Sequence, residues 1–491
     1  MSKNKKIIFW INLFFLHYCL AYYLKSQLNA EFFAIIDTNS KPKEFFVNQK
    51  LVDFEKTWFF HDEIKKNYKP DLEYLSKFEK KYKINLWKIA LNERFFYKHN
   101  KFYNFSKEEI LSILEQELKL YEFILDETKP DYFLTYDPPF HHQKLFLELC
   151  RIKNIKVLSI CGTGIQNKVI LTSDGATFDL DKNVLKSYDG NIELFDENKV
   201  YDKTVKNYLK KRETNFSDKS RAIFDYLINS NSNVTKTNFM YYGKNKFKVL
   251  KNSIYLEIKK QKNLSDLKKL SITNPNLNLK YVYFPMNVDE EMNTLHYAPF
   301  YTDQIEVITH IARSLPIEYV LYVKEHYASK LRGWQNKKYY QEIAKIPNVI
   351  LVDPFYDNNT LIKKSQLLVS IRGTSSLKAL HLGIPSVIFG NQAFEILPSI
   401  FKIESVDKLP EIIKKALNRK VQSFEYNQYI NLLNHRLIDF NMFEYESRRD
   451  EMLFSGKILS DVYISEDKMK KFIDLNKNQF VKLNEAHLKL I

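Results

Sequence analysis

The chain has 491 residues, 45% apolar, 27% charged and 15% aromatic, with a formal net charge of +16. The first two values sit near the globular averages of roughly 45–50% and 25%, which excludes an intrinsically disordered chain, a collagen-like repeat and a disulfide scaffold. The length suits two or three domains of about 100–200 residues, and the outlier is glycine, ten in all with none before Gly162.

Two residues into the chain, a lysine cluster (3–6) runs into IIFWINLFFLHYCLAYYL, which has the outline of a signal peptide or a membrane anchor. Asn12 and His17 interrupt the run, and no small-residue cleavage site follows. It also divides into a strand (7–10), a helix (14–28) and a second strand (31–37), so a buried βαβ start is the preferred reading. No later stretch is apolar enough to span a bilayer. A long helical pattern then covers 70–127, followed by strand 131–136, helix 141–153 and strand 156–160. Residues 190–275 are rich in Lys and Asn, mostly helical in pattern, and read as an insertion or linker.

Beyond residue 280 the alternation becomes regular. Strands are expected at 281–284, 318–324, 348–352, 367–371 and 386–389, with helices at 303–314, 336–345, 358–365 and 374–381 between them. Such strand–helix repeats make a doubly wound parallel sheet. Helical patterns dominate again from 408 to the end. The expected fold is therefore α/β and GT-B-like: two Rossmann-like doubly wound domains facing a cleft, with a helical insertion and a helical C-terminal tail. The expected boundaries are 1–190, 191–275, 276–420 and 421–491.

A basic balance favours polyanionic partners: nucleic acid, anionic lipid or phosphorylated small molecules. Here the charge is spread over Lys-rich helical faces such as 206–211 and 259–269, which read first as solvated surface. Attraction to an anionic membrane surface comes second. Nucleic acid is not expected, since no groove motif interleaves aromatic and basic residues. Cys19, Cys150 and Cys161 form no CxxC pair, so a reducing cytoplasm is the expected compartment, with peripheral contact at the inner membrane face.

In an open parallel sheet the chemistry lies outside the carboxyl ends of the strands. After the five later strands come Met286-Asn287, Lys324-Glu325-His326, Asp353-Pro354, Arg372-Gly373-Thr374-Ser375-Ser376 and Gly390-Asn391. The fourth loop is the sharpest. Gly373 permits a tight turn, and the hydroxyls of Thr374, Ser375 and Ser376 open a helix whose free N–H groups favour an anion. Arg372 and Lys378 add positive charge. His326, in a charged turn, is placed to donate to a phosphate or a leaving group.

Residues 281–398, with YVYFPMN, EYVLYVKEH, NVILVDPFYDNNTLIKKS and SIRGTSSLKALHLGIPSVIFG in order, resemble the capsule polysaccharide biosynthesis family, which includes Kdo transferases. The resemblance implies a GT-B glycosyltransferase that holds a nucleotide-activated sugar, CMP-Kdo in the best-known members, in its C-terminal half. By position it implies that Lys324 and His326 meet the donor phosphate, that Gly373, Thr374 and Ser375 form the phosphate-binding helix start, and that Asn287 replaces a strand-end Gln. Tyr327, Ile384 and Lys378 depart from the family pattern. Lys378 stands where the family has the Glu expected to hold the nucleotide ribose.

The first half is expected to serve the acceptor. Asp137, at a strand end, is the candidate general base, with His141, Gly162, Thr163 and Gly164 beside the acceptor. Gly162-Thr163-Gly164 is not a dinucleotide fingerprint. His141-His142 shows no third ligand at metal spacing, so no metal site is expected, and no cofactor is expected beyond the donor itself. The expected partners are a nucleotide-sugar donor and a glycan or lipid-linked acceptor. Alternatives on the same fold are a CDP-alditol polyolphosphate transferase and a non-catalytic polysaccharide assembly or export protein.

Overall fold

The computed structural model describes residues 4–66, 68–165, 167–180, 238–422, 424–454 and 461–491. Its strands are β1 (Lys5–Asn12), β2 (Ala30–Asp37), β3 (Lys56–Phe59), β4 (Tyr132–Tyr136), β5 (Lys156–Gly162), β6 (Lys168–Thr172), β7 (Tyr281–Pro285), β8 (Val320–Lys324), β9 (Val349–Val352), β10 (Leu367–Ser370), β11 (Ser386–Ile388), β12 (Ile400–Lys402) and β13 (Ile438–Asp439). The chain divides into two compact units, one built from Met1–Gly175, Glu197–Leu250 and Arg436–Ile491, the other from Ala176–Asp196 and Lys251–His435.

In the first unit the apolar run at the start is a central strand. Ile7, Phe9 and Ile11 of β1 bury on one face of the sheet, and Ile8 and Trp10 on the other. A strand covered on both faces reads as a continuous apolar run rather than an alternation, which is why it imitates a membrane segment. Parallel pairing of β1 with β2 across helix Leu16–Lys25 completes the βαβ start. No helix among the described residues is long and apolar enough to cross a membrane. The β1-to-helix turn uses Phe15 at φ 57° in place of a glycine, so this turn is built without the glycine cradle of a dinucleotide site.

The seven strands of this sheet run in the order β13-β6-β5-β4-β1-β2-β3. Strands β3, β6 and β13 are absent from the sequence expectation, being short runs without a strong period. The expected helical stretch 70–127 is three helices, Leu72–Tyr82, Leu86–Leu91 and Lys107–Thr128, with loops between them. The last opens on a full capping box, Ser106 with Glu109.

Residues 421–491, expected as a separate helical tail, divide at 435. From Arg436 onward the chain returns to the first unit. Strand β13 pairs antiparallel with β6, and helices Glu466–Leu475 and Lys477–Leu490 place Phe472, Phe480 and Leu483 on the face that holds Phe9 and Phe32. That face of the mostly parallel sheet needs a helical cover, and these late helices provide part of it.

The second unit has a six-stranded sheet in the order β12-β11-β10-β7-β8-β9, parallel throughout. Val282 and Phe284 of β7 enter one core, and Tyr281 and Tyr283 the other. The five expected strands are present, with β12 as an addition. Both sheets carry the doubly wound order, so the chain combines two Rossmann-like α/β units. Helix Lys246–Leu270 falls in the expected insertion, whereas the lysine face at 206–211 lies outside the described residues.

Candidate functional site

In the second unit the strand progression reverses between β7 and β10, and an open sheet binds its ligand at such a switch point. The two loops leaving that point are fastened together. Asn287 Nδ2 donates to the Arg372 carbonyl at 2.6 Å. The Asn287 N–H donates to Gln304 Oε1 at 2.7 Å, and Gln304 Nε2 donates back to the Asn287 carbonyl at 2.8 Å. Asn287 is thereby fixed, yet its Oδ1 is buried without a hydrogen-bond partner. An unsatisfied buried acceptor costs about 1–3 kcal/mol, which a ligand donor would relieve.

Gly373 follows at φ 150°, a conformation that favours glycine. Thr374 is exposed, precedes helix Ser375–His381 and makes no side-chain cap bond, so its hydroxyl is not committed to the first-turn N–H groups. Ser375 is half-buried beside them, and Lys378 stands one turn further on, also half-buried. Two of the expected ligand groups turn inward instead. Ser376 is buried with its hydroxyl 2.9 Å from that of Ser370, tying helix to strand. The Arg372 guanidinium is buried, donates to the Asn391 carbonyl at 2.9 Å and Asn293 Oδ1 at 2.6 Å, and lies 3.9 Å from the Tyr297 ring centre. These contacts make it a brace between loops.

At the end of β8, Lys324 is buried and donates to the Tyr356 carbonyl at 3.2 Å. His326 keeps solvent exposure, while the desolvation of its surroundings and the Lys324 charge hold its pKa down to about 4. Its Nδ1 accepts from the Ala328 N–H at 3.1 Å, which leaves the proton on Nε2 of the neutral ring. His326 is therefore a hydrogen-bond donor near neutrality and carries no charge there. Between Lys324 and His326 lies a group the sequence does not single out. Glu325 is buried and accepts from Ser329 Oγ and Tyr340 Oη, each at 2.9 Å. Desolvation, reinforced by the Asp289 charge, raises its pKa to about 7 against these hydrogen bonds.

The first unit treats its own switch point differently. Between β1 and β4, Asn12 Nδ2 donates to Tyr136 Oη at 2.6 Å, and Phe14 packs on the Tyr136 ring. Asp137 is half-buried with its N–H on the Ile160 carbonyl at 3.2 Å. A Cβ on Gly175 would lie 2.6 Å from its Oδ1, so that glycine admits the carboxylate. Gly162-Thr163-Gly164 closes the antiparallel β5–β6 hairpin: Thr163 Oγ1 donates to the Lys168 carbonyl at 2.9 Å, and Gly164 takes φ 76°. Thr163 is buried in this turn and Gly162 is exposed.

His141, expected beside the acceptor, is fully buried at the start of helix His141–Ile152. Its Nδ1 lies 2.9 Å from Glu93 Oε2 and its Nε2 3.0 Å from Glu117 Oε1. Burial opposes protonation, but the two carboxylates outweigh it and raise the pKa to about 10. His142 Nε2 faces Asp37 Oδ2 at 3.0 Å, and Asp37 also receives His61, Trp10 and Gln143. Burial alone would raise the Asp37 pKa, yet His142 and His61 hold it well below the usual carboxylate range. The sequence expectation of no third ligand beside His141-His142 is corrected here. Glu117, 24 residues upstream, brings a carboxylate oxygen within 4.8 Å of both rings' ligand atoms.

No family model matches the chain, and no curated protein matches it. Among solved structures it is similar to the UDP-GlcNAc 2-epimerase of Methanocaldococcus jannaschii in complex with UDP-GlcNAc and UDP, at 12% identity and TM-score 0.27, over 88% of this chain and 99% of that one. It is also similar to the KpsC beta Kdo 2,7 transferase of Thermosulfurimonas dismutans, at 12% identity and TM-score 0.31, over 71% and 87%. A third is the S. aureus MnaA–UDP structure, at 10% identity and TM-score 0.24, over 92% and 97%. Scores this low carry no residue role across to this chain.

Proposed function

We propose that the chain is a sugar-processing enzyme of GT-B-like fold, a glycosyltransferase of surface-polysaccharide assembly that takes a sugar from a nucleotide-activated, CMP-Kdo-like donor to a glycan or lipid-linked acceptor. The observation that supports this most is the switch point of the second unit. There the orphan Asn287 Oδ1, the Gly373 turn and the uncapped Thr374 follow the carboxyl ends of the two strands at the switch point, with Lys324 and His326 at the end of neighbouring β8.

In this reading the donor phosphate is held by the Thr374 hydroxyl, the N–H groups that follow it and the His326 Nε2–H. Lys324 and Lys378 supply charge. As the bond between sugar and phosphate breaks, negative charge grows on the departing phosphate oxygen, and fixed donors aimed there lower the barrier. Asn287 Oδ1, buried without a hydrogen-bond partner, is the proposed acceptor for a hydroxyl or amine of the donor. Asp137 is the proposed base for the acceptor hydroxyl, and Asp137→Asn is expected to lower kcat while leaving donor affinity unchanged.

Titration calorimetry with CMP, CDP and UDP tests the donor half. At least one nucleotide is expected to bind, and His326→Ala to weaken it about tenfold, the equivalent of about 1.4 kcal/mol. Absence of binding by all three would overturn the assignment.

A further inference from the structure

We propose that the first unit holds one divalent transition-metal ion, zinc in ligand preference, bound by His141 Nε2, His142 Nδ1 and a Glu117 carboxylate oxygen. The three residues are buried, and one ligand atom from each lies within 4.8 Å of the others. His141 Nε2 and Glu117 Oε1 are 3.0 Å apart, a separation that one ion with bonds of about 2.0–2.2 Å can bridge when it displaces the proton now shared between them, which leaves to solvent. Imidazole with carboxylate is a donor set suited to zinc.

An unused donor atom is the independent observation. His142 is 1% exposed, its Nε2 is taken by Asp37, and its Nδ1 has no hydrogen-bond partner. A buried ring nitrogen left without a partner is costly, and a metal ion bound with His141 and Glu117 would supply that partner. Phe60 stacks on this ring at 4.7 Å and Phe140 at 5.6 Å, so its direction is set before any ion arrives.

The outer contacts follow the pattern of metal-bound histidine. A ligating imidazole usually gives its other N–H to a carboxylate, which fixes the tautomer and strengthens the ligand. Here both histidines do so: His142 Nε2 to Asp37, and His141 Nδ1 to Glu93 at 2.9 Å. Asp37 is in turn fixed by Trp10 Nε1 at 3.1 Å and Gln143 Nε2 at 2.8 Å. Three ligands, two outer carboxylates and an aromatic wall make a built site. It ties helix Lys107–Thr128 to the start of helix His141–Ile152.

The full chain, expressed with zinc and desalted, is expected to retain one ion per chain by elemental mass spectrometry. After chelation, Co2+ is expected to bind with the intense visible absorption of a tetrahedral or five-coordinate site. Glu117→Gln keeps the side-chain shape and is expected to weaken binding about 100-fold or more. Asp37→Asn, which acts through His142, is expected to weaken it roughly 10–100-fold. His310→Gln, a surface histidine, should leave it unchanged. Fewer than one ion per chain after loading, or full affinity in folded Glu117→Gln, means that the cluster is a hydrogen-bonded ion network and overturns the proposal. The wild-type stoichiometry and Co2+ spectrum decide the question even if a variant fails to fold.

Discussion

Thr374 and Gly373 show how neighbouring residues divide the work of one turn. A threonine that caps a helix stabilises it by about 1 kcal/mol, but Thr374 makes no such bond. Thr374→Ala is therefore expected to leave the thermal midpoint unchanged within experimental error while weakening nucleotide binding about tenfold in calorimetry. Gly373 is the reverse case. Its φ of 150° is strained for any L side chain, and Gly373→Ala is expected to destabilise by roughly 1–3 kcal/mol, read as a lower denaturant midpoint. The sequence singles out both residues because glycine and hydroxyl residues after a strand are a local signal. It singles out Arg372 and Ser376 as well, since the identity of a side chain does not say which way it turns. Arg372 is held by Asn391 and Asn293, 19 and 79 residues away, and Ser376 by Ser370 on the strand before its own helix.

Helix Leu16–Lys25 and helix Lys477–Leu490 each bury a histidine, His17 and His487, held neutral by desolvation and by their mutual repulsion in the case of His17. Their pKa values fall to about 3 and about 4, against 6.5 for a free imidazole. A folded pKa below the unfolded value means that stability is complete above the unfolded pKa and is lost as pH falls through the folded one. The unfolded chain takes up protons between pH 6.5 and 4 while the folded chain does not. Stability is expected to drop over that window, by about 3 kcal/mol from His487 alone. Denaturant titrations at pH 7, 5.5 and 4.5 should show a smaller drop in His487→Gln; an unchanged slope would assign the acid sensitivity elsewhere. Glu325 runs the other way: its raised pKa of about 7 stabilises the fold at low pH and is lost as pH rises through 7.

At the scale of the whole molecule, the late return of residues 436–491 decides whether the first unit can stand. Met469, Phe472, Ile473, Phe480 and Leu483 are fully buried against the face formed by β1 and β2. At roughly 1.5–3 kcal/mol per buried side chain, their removal costs about as much as the total stability of a typical domain, 5–15 kcal/mol. A chain ending at residue 465 is expected to lose the cooperative unfolding transition of the first unit and to bind a hydrophobic dye. A normal transition in that truncated chain would show that the late helices are dispensable.

The sequence by itself determined the alternation of strands and helices, the two α/β units and the loops at 286–287, 324–326 and 372–376. These are properties of consecutive residues: periodicity, turn chemistry and the apolar runs of strands buried on both faces. Only the tertiary structure decided which loop side chains face outward, how a single face recruits helices more than 400 residues later, and that Asp37, Glu93 and Glu117 surround a pair of histidines. Those neighbours are set by strand order and helix packing, which bring together positions that no local spacing relates. The scarcity of glycine before Gly162 is likewise resolved in three dimensions, since Phe15, Lys83, Lys129 and Asn154 take the positive φ angles in its place.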